Sequence, residues 1–240
     1  RGYVAGYWAM DGEIGLHAWQ LRLSRGCVYC LPVLGDGDTL RFAPKGLERR
    51  IDVFFMGRRR PELHAALEAA ARRKGYFYHF DTVRNPLVTS YREHRERLAE
   101  LVQRTRYFVV DIANSDHVAE SGAQPEAGLR YFEGVAGGAV LIGNAPDTDT
   151  FRSLFGWPDS VLPVAPDEAS VVALLETLDA DVERTGRIRR TNVSQALRRH
   201  DGAYRWEQIL RAVGLEPLPA LAARKERLEA RAKEAETCSV

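Results

Sequence analysis

Short apolar runs and amphipathic segments alternate along most of the chain. The apolar runs predict strands at "IDVFFMG" (51–57), "YFYHF" (76–80), "YFVVD" (107–111), "GAVLIG" (138–143) and "SVLPV" (160–164). Apolar positions at helical spacing predict helices over 61–74, 89–104, 126–136, 148–154, 167–185, 187–199 and 203–213. Strands joined through helices of this length form parallel βαβ units, and continuous apolar strands are typical of a sheet covered on both faces. The pattern therefore predicts an α/β fold with a doubly wound parallel sheet.

The two ends of the chain lack the regular alternation of strands and helices seen in its central part. The sequence therefore predicts three regions. Residues 1–46 are expected to be the remnant of an N-terminal domain plus a linker, with a helix over 13–24, a strand at "CVYCLPVL" and a turn-rich stretch from Gly35. The doubly wound domain is expected at 47–214. A charged helix over 215–240, with few apolar residues, is expected to be docked or protruding. Because the chain does not begin with Met, we expect an upstream segment.

Composition narrows the class of protein. A net charge of +1 argues against a nucleic-acid partner, and 45% hydrophobic residues are ordinary for a soluble globular protein. We expect no transmembrane segment, because no run reaches the roughly 18 apolar residues that a span requires. With no signal peptide and only three cysteines, the expected location is cytoplasmic. Cys27 and Cys30 lack a second ligand pair for zinc, so we interpret them as buried structural residues.

The loop after the first predicted strand of the sheet is a candidate anion site. Doubly wound sheets bind ligands outside the carboxyl ends of their strands. Gly57 permits a tight turn there, and Arg58 and Arg59 lie beside the helix that starts at Pro61, whose N-terminus favours an anion. This pattern indicates a diphosphate clamp. The alternative is a solvated run of arginines.

Polar side chains in the long loop after "YFVVD" are candidates for binding a sugar. Loops of this length in a compact domain are often functional. Asn114, His117 and Gln124 are the candidate sugar-binding residues, with Asp111 and Asp116 nearby in sequence.

Three charged residues follow in "QPEAGLRYFEGVAGGAVLIG" (124–143). On a helix, Glu126, Arg130 and Glu133 would share one face. A surface ion pair between Glu126 and Arg130 accounts for two of them and leaves Glu133 unexplained. Glycines after Glu133 permit close packing on the sheet. The spacing therefore predicts that Glu133 lies near the strand ends, where a carboxylate accepts hydrogen bonds from a ribose diol.

The segment "LRYFEGVAGGAVLIG" resembles the C-terminal half of retaining GT-B glycosyltransferases of the "glycosyl transferases group 1" type. In that family an E-x7-E helix precedes a small-residue segment and a buried strand, and "IDVFFMGRR" resembles the family's first C-domain strand and basic loop. The likeness runs from about Ile51 to Leu215. It implies a Rossmann-like domain that holds a nucleotide-diphosphate sugar, transfers its sugar to an acceptor without a metal, and needs no cofactor.

The resemblance also implies roles for individual residues. Glu133 matches the ribose-binding glutamate, Arg58 and Arg59 match the basic loop near the diphosphate, and Gly128 matches a glycine at the start of the helix. Glu126 and Arg130 are the candidate catalytic residues. The spacing here is E-x6-E, because Pro125 stands where the family has its first glutamate.

Other functions predict other motifs. A metal-dependent transferase uses a D-x-D pair, which occurs at Asp36–Asp38, Asp147–Asp149 and Asp179–Asp181 without clearly following a strand. A dinucleotide oxidoreductase needs G-x-G-x-x-G after the first strand, and "GRRRPE" supplies one glycine. A non-catalytic Rossmann-like module that binds nucleotides or proteins stays open as the alternative to a glycosyltransferase.

Overall fold

The computed structural model describes residues 39–57, 59–82, 90–113 and 126–237, and the backbone of residues 3–5, 18–22 and 28–32. In chain order, the strands are β1 (Tyr3–Ala5), β2 (Ala18–Arg22), β3 (Val28–Pro32), β4 (Ile51–Phe55), β5 (Tyr78–Phe80), β6 (Thr105–Val110), β7 (Ile112–Ala113), β8 (Glu126–Ala127), β9 (Val140–Gly143) and β10 (Leu162–Pro163). The helices are α1 (Thr39–Phe42), α2 (Pro61–Lys74), α3 (Tyr91–Gln103), α4 (Leu129–Ala136), α5 (Asp149–Phe155), α6 (Glu168–Ala180), α7 (Val182–Arg199), α8 (Gly202–Ala212) and α9 (Pro219–Thr237).

The main sheet has five parallel strands in the order β5-β4-β6-β9-β10. Within this sheet the chain begins at β4, beside the edge, continues to the edge strand β5, and then crosses back over β4 to β6, β9 and β10 in the opposite direction. The order therefore reverses between β4 and β6, which makes the carboxyl ends of these two strands the topological switch point. This arrangement confirms the predicted α/β, doubly wound parallel sheet. Ahead of it, β1, β2 and β3 form a separate antiparallel sheet.

Helices cover both faces of the main sheet. On one face, Phe54, Phe108 and Leu141 of the strands are buried under α3, α4 and α5. On the other face, Val53, Tyr107 and Ile142 are buried under α2 and α6. Neighbouring strand residues thus point into different cores, which is why the central positions of these strands are apolar, and the polar exceptions Asp52 and Arg106 pair with each other near the strand starts. Full burial of each large apolar side chain contributes about 1.5–3 kcal/mol of transfer free energy.

Helix α7 connects the two layers and supports the C-terminal part of the chain. It contributes Ile188 to one core and Ala196 to the other, and the Asn192 side chain donates to the Ala139 carbonyl oxygen (2.9 Å) just before β9 begins. Helix α9 packs on α7 through the fully buried Leu228 and through ion pairs from Arg198. Of the two alternatives for the charged C-terminal helix, the docked one therefore holds for 219–237.

The structure differs from three predicted helix boundaries. The predicted helix over 13–24 is wrong in its central part, because β2 occupies 18–22; the apolar–polar alternation in "WQLRL" is the pattern of a strand. The helix predicted over 126–136 begins at 129, because Glu126 and Ala127 pair as β8 with β7. Helix α7 starts at Val182, five residues before the predicted start, since Asp181 caps it by accepting from the Arg184 N–H (2.9 Å).

The position of Gly143 at the end of β9 gives a testable prediction. Its φ is +136°, and a Cβ atom there would overlap the Val110 carbonyl oxygen of the adjacent strand. Gly143→Ala is therefore expected to lower the free energy of unfolding by about 1–3 kcal/mol in chemical denaturation. Gly46 is the matched control, since it also has a positive φ (+72°) but nothing within 4 Å of its Cβ position. Equal losses at the two positions would contradict the steric explanation.

Candidate functional site

The switch point brings together polar residues from four strand ends. Gly57 follows β4, Asp81 follows β5, Asp111 follows β6 and Asn144 follows β9. Gly57 has a φ of +88°, and its N–H donates to Asp81 Oδ1 (2.9 Å). Since parallel strands end at one edge of the sheet, these groups form a polar rim around the place where such folds bind ligands.

Arg59 is held on this rim by a carboxylate and an aromatic ring. Its Nη1 lies 2.6 Å from Asp81 Oδ1, and its guanidinium lies over the Phe80 ring, 5.4 Å from the centroid. The same Asp81 oxygen accepts from Gly57 N–H, so one carboxylate fixes both the turn and the arginine. A guanidinium oriented in this way retains N–H donors for a bidentate oxyanion.

Arg60 and Asp111 join the two strand ends of the switch point. Arg60 Nε lies 2.6 Å from Asp111 Oδ2, but the two groups are not aligned for a hydrogen bond. Arg60 Nε and Nη2 are both buried and have no hydrogen-bond partner within the described residues. Buried donors of a charged group are normally satisfied, so Arg60 Nη2, which lacks even the charge contact that Nε has with Asp111, is available for a further acceptor.

Asp111 is itself fixed from the other side. Its Oδ1 accepts from the Ile112 N–H (2.9 Å) and from Asn144 Nδ2 (2.9 Å). The Tyr131 hydroxyl donates to the Asn144 carbonyl oxygen, which ties helix α4 to the same edge of the sheet. Burial raises the pKa of the Tyr131 hydroxyl, and the charge of Asp111 raises it further. The site is therefore rigid on the side of β6 and β9.

Two helices that point at the switch point have open N-termini. Neither α2, which follows β4, nor α4, which follows β6 and the β7–β8 pair, has a side-chain hydrogen bond at its cap. Side chains cap five other helices, through Ser90, Thr148, Asp167, Asp181 and Asp201. Free N–H groups and the helix dipole favour an anion at an open N-terminus. The two uncapped helices therefore add positive potential where Arg59 and Arg60 already supply it.

Glu133 lies in the interface between α3 and α4 and is only 4% exposed. One of its carboxylate oxygens accepts from Arg95 of α3, and the other accepts from Arg130 one turn earlier on α4. Burial alone would raise the pKa of Glu133. The charges and hydrogen bonds of Arg130 and Arg95 outweigh burial and hold this pKa below its usual 4.5. Glu133 is therefore a buried carboxylate between two guanidinium groups.

The predicted site residues fall into two described groups. Gly57 and Arg59 lie at the switch point with Asp81, and Arg130 lies with Glu133. Gly128 is the N-cap of α4. The backbone of Glu126 pairs with Ala113 in the β7–β8 hairpin, and its side chain lies outside the described residues. Arg58, Asn114, His117 and Gln124 also lie outside the described residues.

The sequence gives no individual role to Arg60, which belongs to the arginine run, or to Asp81, which belongs to the loop 79–87 expected to contribute to the pocket, and it does not single out Asn144 or Arg95. Arg60 stands in the same arginine run as Arg58 and Arg59, and its position just before Pro61 identifies it as the N-cap residue. Asp81 and Asn144 each follow a predicted strand directly, which was an available signal. Arg95 had no such signal, because its contact with Glu133 spans 38 residues of sequence.

In the described part of the chain, the aspartates of the D-x-D pairs contact protein groups that do not form a metal site. Asp147 and Asp149 both form ion pairs with Arg152 on the surface. Asp179 accepts from Arg106 and Tyr107, whereas Asp181 caps α7. Within the described ranges, no three His, Cys, Asp or Glu side chains are grouped as metal ligands, and no helix is long and apolar enough to cross a bilayer.

The protein has an open parallel sheet, and arginines and the uncapped N-termini of two helices lie at its switch point. These features define a Rossmann-like α/β domain. A family model described as glycosyl transferase-like matches residues 58–211, well over half of the chain. The chain belongs to this family. The match includes every strand of the main sheet except β4, and it supports a function in glycosyl transfer, with a nucleotide-sugar donor and an acceptor as the expected substrates. No curated protein matches the chain.

Proposed function

We propose that the protein transfers a sugar from a nucleotide-diphosphate sugar to an acceptor, and that the donor binds at the switch point between β4 and β6. The observation that carries the proposal is Arg60 at the N-cap of α2, whose buried Nε and Nη2 have no hydrogen-bond partner in the described structure. A diphosphate would supply an oxyanion to Nη2 while Asp111 stays beside Nε.

The diphosphate would lie across the open N-terminus of α2. Pro61 at the first helical position has no N–H, so Glu62 and Leu63 offer the first free backbone donors. Arg59 and Arg60 flank them, held by Asp81 and Asp111. Both carboxylates would orient the arginines before the donor arrives, which reduces the loss of side-chain entropy on binding.

The proposed chemistry is electrostatic stabilisation of the departing nucleoside diphosphate. As the bond between the sugar and the β-phosphate breaks, negative charge grows on the phosphate oxygens. Guanidinium groups and helix N–H groups that already point at those oxygens stabilise this charge without reorganising. We propose that these groups do so without a metal ion or a cofactor.

The roles of Glu133, Glu126 and Arg130 are part of the same proposal and rest on the resemblance of their segment. In this proposal the hydroxyls of a ribose diol donate hydrogen bonds to the Glu133 carboxylate. Both Glu133 oxygens already accept from arginines, so the ribose hydroxyls would bind beside the Arg130 contact or replace it. Arg130 is the partner that can give way, since its side chain is 28% exposed whereas that of Arg95 is 8% exposed. Glu126 and Arg130 stay the candidate catalytic residues.

Nucleoside diphosphate binding tests the proposal. UDP, GDP or ADP is expected to raise the melting temperature, with about 2.7 kcal/mol of added stability when the ligand reaches about 100 times its Kd. Arg60→Ala is expected to weaken this binding by about 10–100-fold, because one charge-assisted contact contributes about 1.5–3 kcal/mol. Arg73→Ala, at the far end of α2 in a surface pair with Glu168, is the control and should bind normally.

Two results would contradict the proposal. One is the absence of a shift with all three nucleotides, and the other is a shift that Arg60→Ala leaves unchanged. Transfer or hydrolysis of a nucleotide sugar by the full-length protein then separates an enzyme from a non-catalytic nucleotide-binding module, which would bind the nucleotide and release no sugar.

A further inference from the structure

A cavity lies between α5, α7 and α8, and none of the strand-end residues of the switch point lines it. Its volume is about 350 Å³, near the lower end of the roughly 300–1,000 Å³ range of small-molecule sites. The side chains that matter for its chemistry are Ser153, Arg199, His200, Tyr204, Arg205 and Gln208. We refer to it as the α7–α8 cavity.

Arg205 is a buried cation in the wall of this cavity. The residue is 8% exposed, and its Nε has no hydrogen-bond partner among the described residues. Its other two nitrogens make long bonds to neutral acceptors, Gln208 Oε1 (3.3 Å) and the Arg199 carbonyl oxygen (3.2 Å). Burial lowers the pKa of Arg205, and within the described ranges no carboxylate forms an ion pair with it. A buried charge of this kind is costly unless it gains a counter-charge.

The neighbours of Arg205 add positive charge and open donors. The side chain of Arg199 is exposed at the cavity, with its guanidinium over the Trp157 ring (5.9 Å), and in the described part of the chain no carboxylate pairs with it either. His200 is fully buried, and burial together with Arg205 and Arg199 lowers its pKa to about 3. A contact with the Leu154 backbone raises the His200 pKa slightly against these effects. Within the described residues, however, neither nitrogen of the His200 ring has a partner with hydrogen-bond geometry.

The third arginine of the cavity, Arg198, has carboxylate partners, unlike Arg199 and Arg205. Arg198 forms ion pairs with Glu229 and Glu236 of α9, and these carboxylates raise its pKa. Other charges nearby are also paired: Asp201 with Arg224, and Glu207 with Lys225 and Arg211. Arg199 and Arg205 are therefore the two guanidinium groups of the cavity without a counter-ion in the described structure.

We propose that the α7–α8 cavity binds a small phosphate monoester, with the phosphate on Arg205 and Arg199. Two guanidinium groups match the charge and the several oxygens of a phosphate. The ring of Tyr204 and the Gln208 side chain line the remaining space and would contact the organic part of the ligand. This site is separate from the switch point and does not depend on the proposed donor site.

Titration calorimetry at constant ionic strength tests this site on the full-length protein, with inorganic phosphate and glucose 1-phosphate as probes. Both are expected to bind, and Arg199→Ala is expected to weaken both by about tenfold, since it removes one charge-assisted contact from an exposed position where folding is not at risk. Arg205→Gln removes the proposed contact between the phosphate and the buried guanidinium, and it should weaken the binding of both probes more than Arg199→Ala does. Arg211→Ala, on α8 in a surface pair with Glu207, is the matched control and should leave both affinities unchanged.

The Arg60→Ala variant distinguishes this site from the switch point. If the α7–α8 cavity is the phosphate site, Arg60→Ala binds both probes as the wild type does. The proposal is overturned if neither probe binds saturably, if Arg199→Ala leaves both affinities unchanged, or if Arg60→Ala removes the binding. Tighter binding of glucose 1-phosphate than of inorganic phosphate supports a monoester ligand, whereas binding of inorganic phosphate alone contradicts it.

Discussion

Glu133→Ala is expected to lower the free energy of unfolding by about 3–5 kcal/mol. Removal of one partner from a buried ion pair takes away the charge that offsets the desolvation of the other. Here the change would remove the Glu133 carboxylate from Arg95, itself 7% exposed, in the α3–α4 interface. Denaturation by urea or guanidinium chloride, followed by circular dichroism, measures the loss.

Two comparisons make the result specific to the buried pair. Glu93→Ala removes the carboxylate of an exposed pair with Arg97 on α3 and is expected to change stability little.

The pH dependence of stability gives the second comparison. Because the folded-state pKa of Glu133 lies below its usual 4.5, its contribution to stability is complete above that pH and is lost as the pH falls through the folded-state value. The stability gap between wild type and Glu133→Gln should therefore narrow below about pH 4.5, and a pH-independent gap would contradict the charge assignment.

Asp201→Ala is expected to cause a comparable loss, about 3–5 kcal/mol, for a different reason. Asp201 is fully buried and joins three separate segments of the chain. Its carboxylate accepts from the Thr39 N–H and hydroxyl, from the Ala203 N–H at the start of α8, and from two nitrogens of Arg224 on α9. Loss of the carboxylate removes the helix cap and the link from the linker to α9 in one step.

The exposed cap of α6 provides the control for Asp201. Asp167 accepts from the Ser170 N–H and has no link to another segment among the described contacts. Asp167→Ala should therefore cost clearly less than Asp201→Ala. Hydrogen exchange should also show faster exchange across α9 in Asp201→Ala. If α9 keeps its protection in that variant, the carboxylate does not hold the helix in place.

The main features of the fold were predictable because local patterns and global topology agree. The segments 53–56 and 107–110 are apolar on both faces, which is typical of a doubly covered sheet. Helix α2 has its Pro61 start and its Gly75 stop where the sequence predicted them, with Gly75 at a φ of +75°. The short β7–β8 hairpin was not predicted, because two-residue strands carry too few positions to establish a period.

The candidate site was predictable in type but not in its contacts. The Gly57 turn and its arginines follow from position at a strand end. Which carboxylate each arginine meets depends on strand order, which periodicity does not contain. Arg60 and Asp111 are 51 positions apart in the numbering and meet only because β4 and β6 are neighbours. The sequence indicates that a surface ion pair does not account for Glu133, but the contact with Arg95 depends on the packing of α3 against α4.

A structure of the full-length protein with a bound nucleoside diphosphate would show whether the donor binds at the switch point. We expect the phosphates to lie at the N-terminus of α2, with a phosphate oxygen within about 2.7–3.2 Å of Arg60 Nη2 and with Asp111 still held by Asn144. A nucleotide bound anywhere else on the protein, with Arg60 Nη2 still without an acceptor, would contradict the proposed donor site.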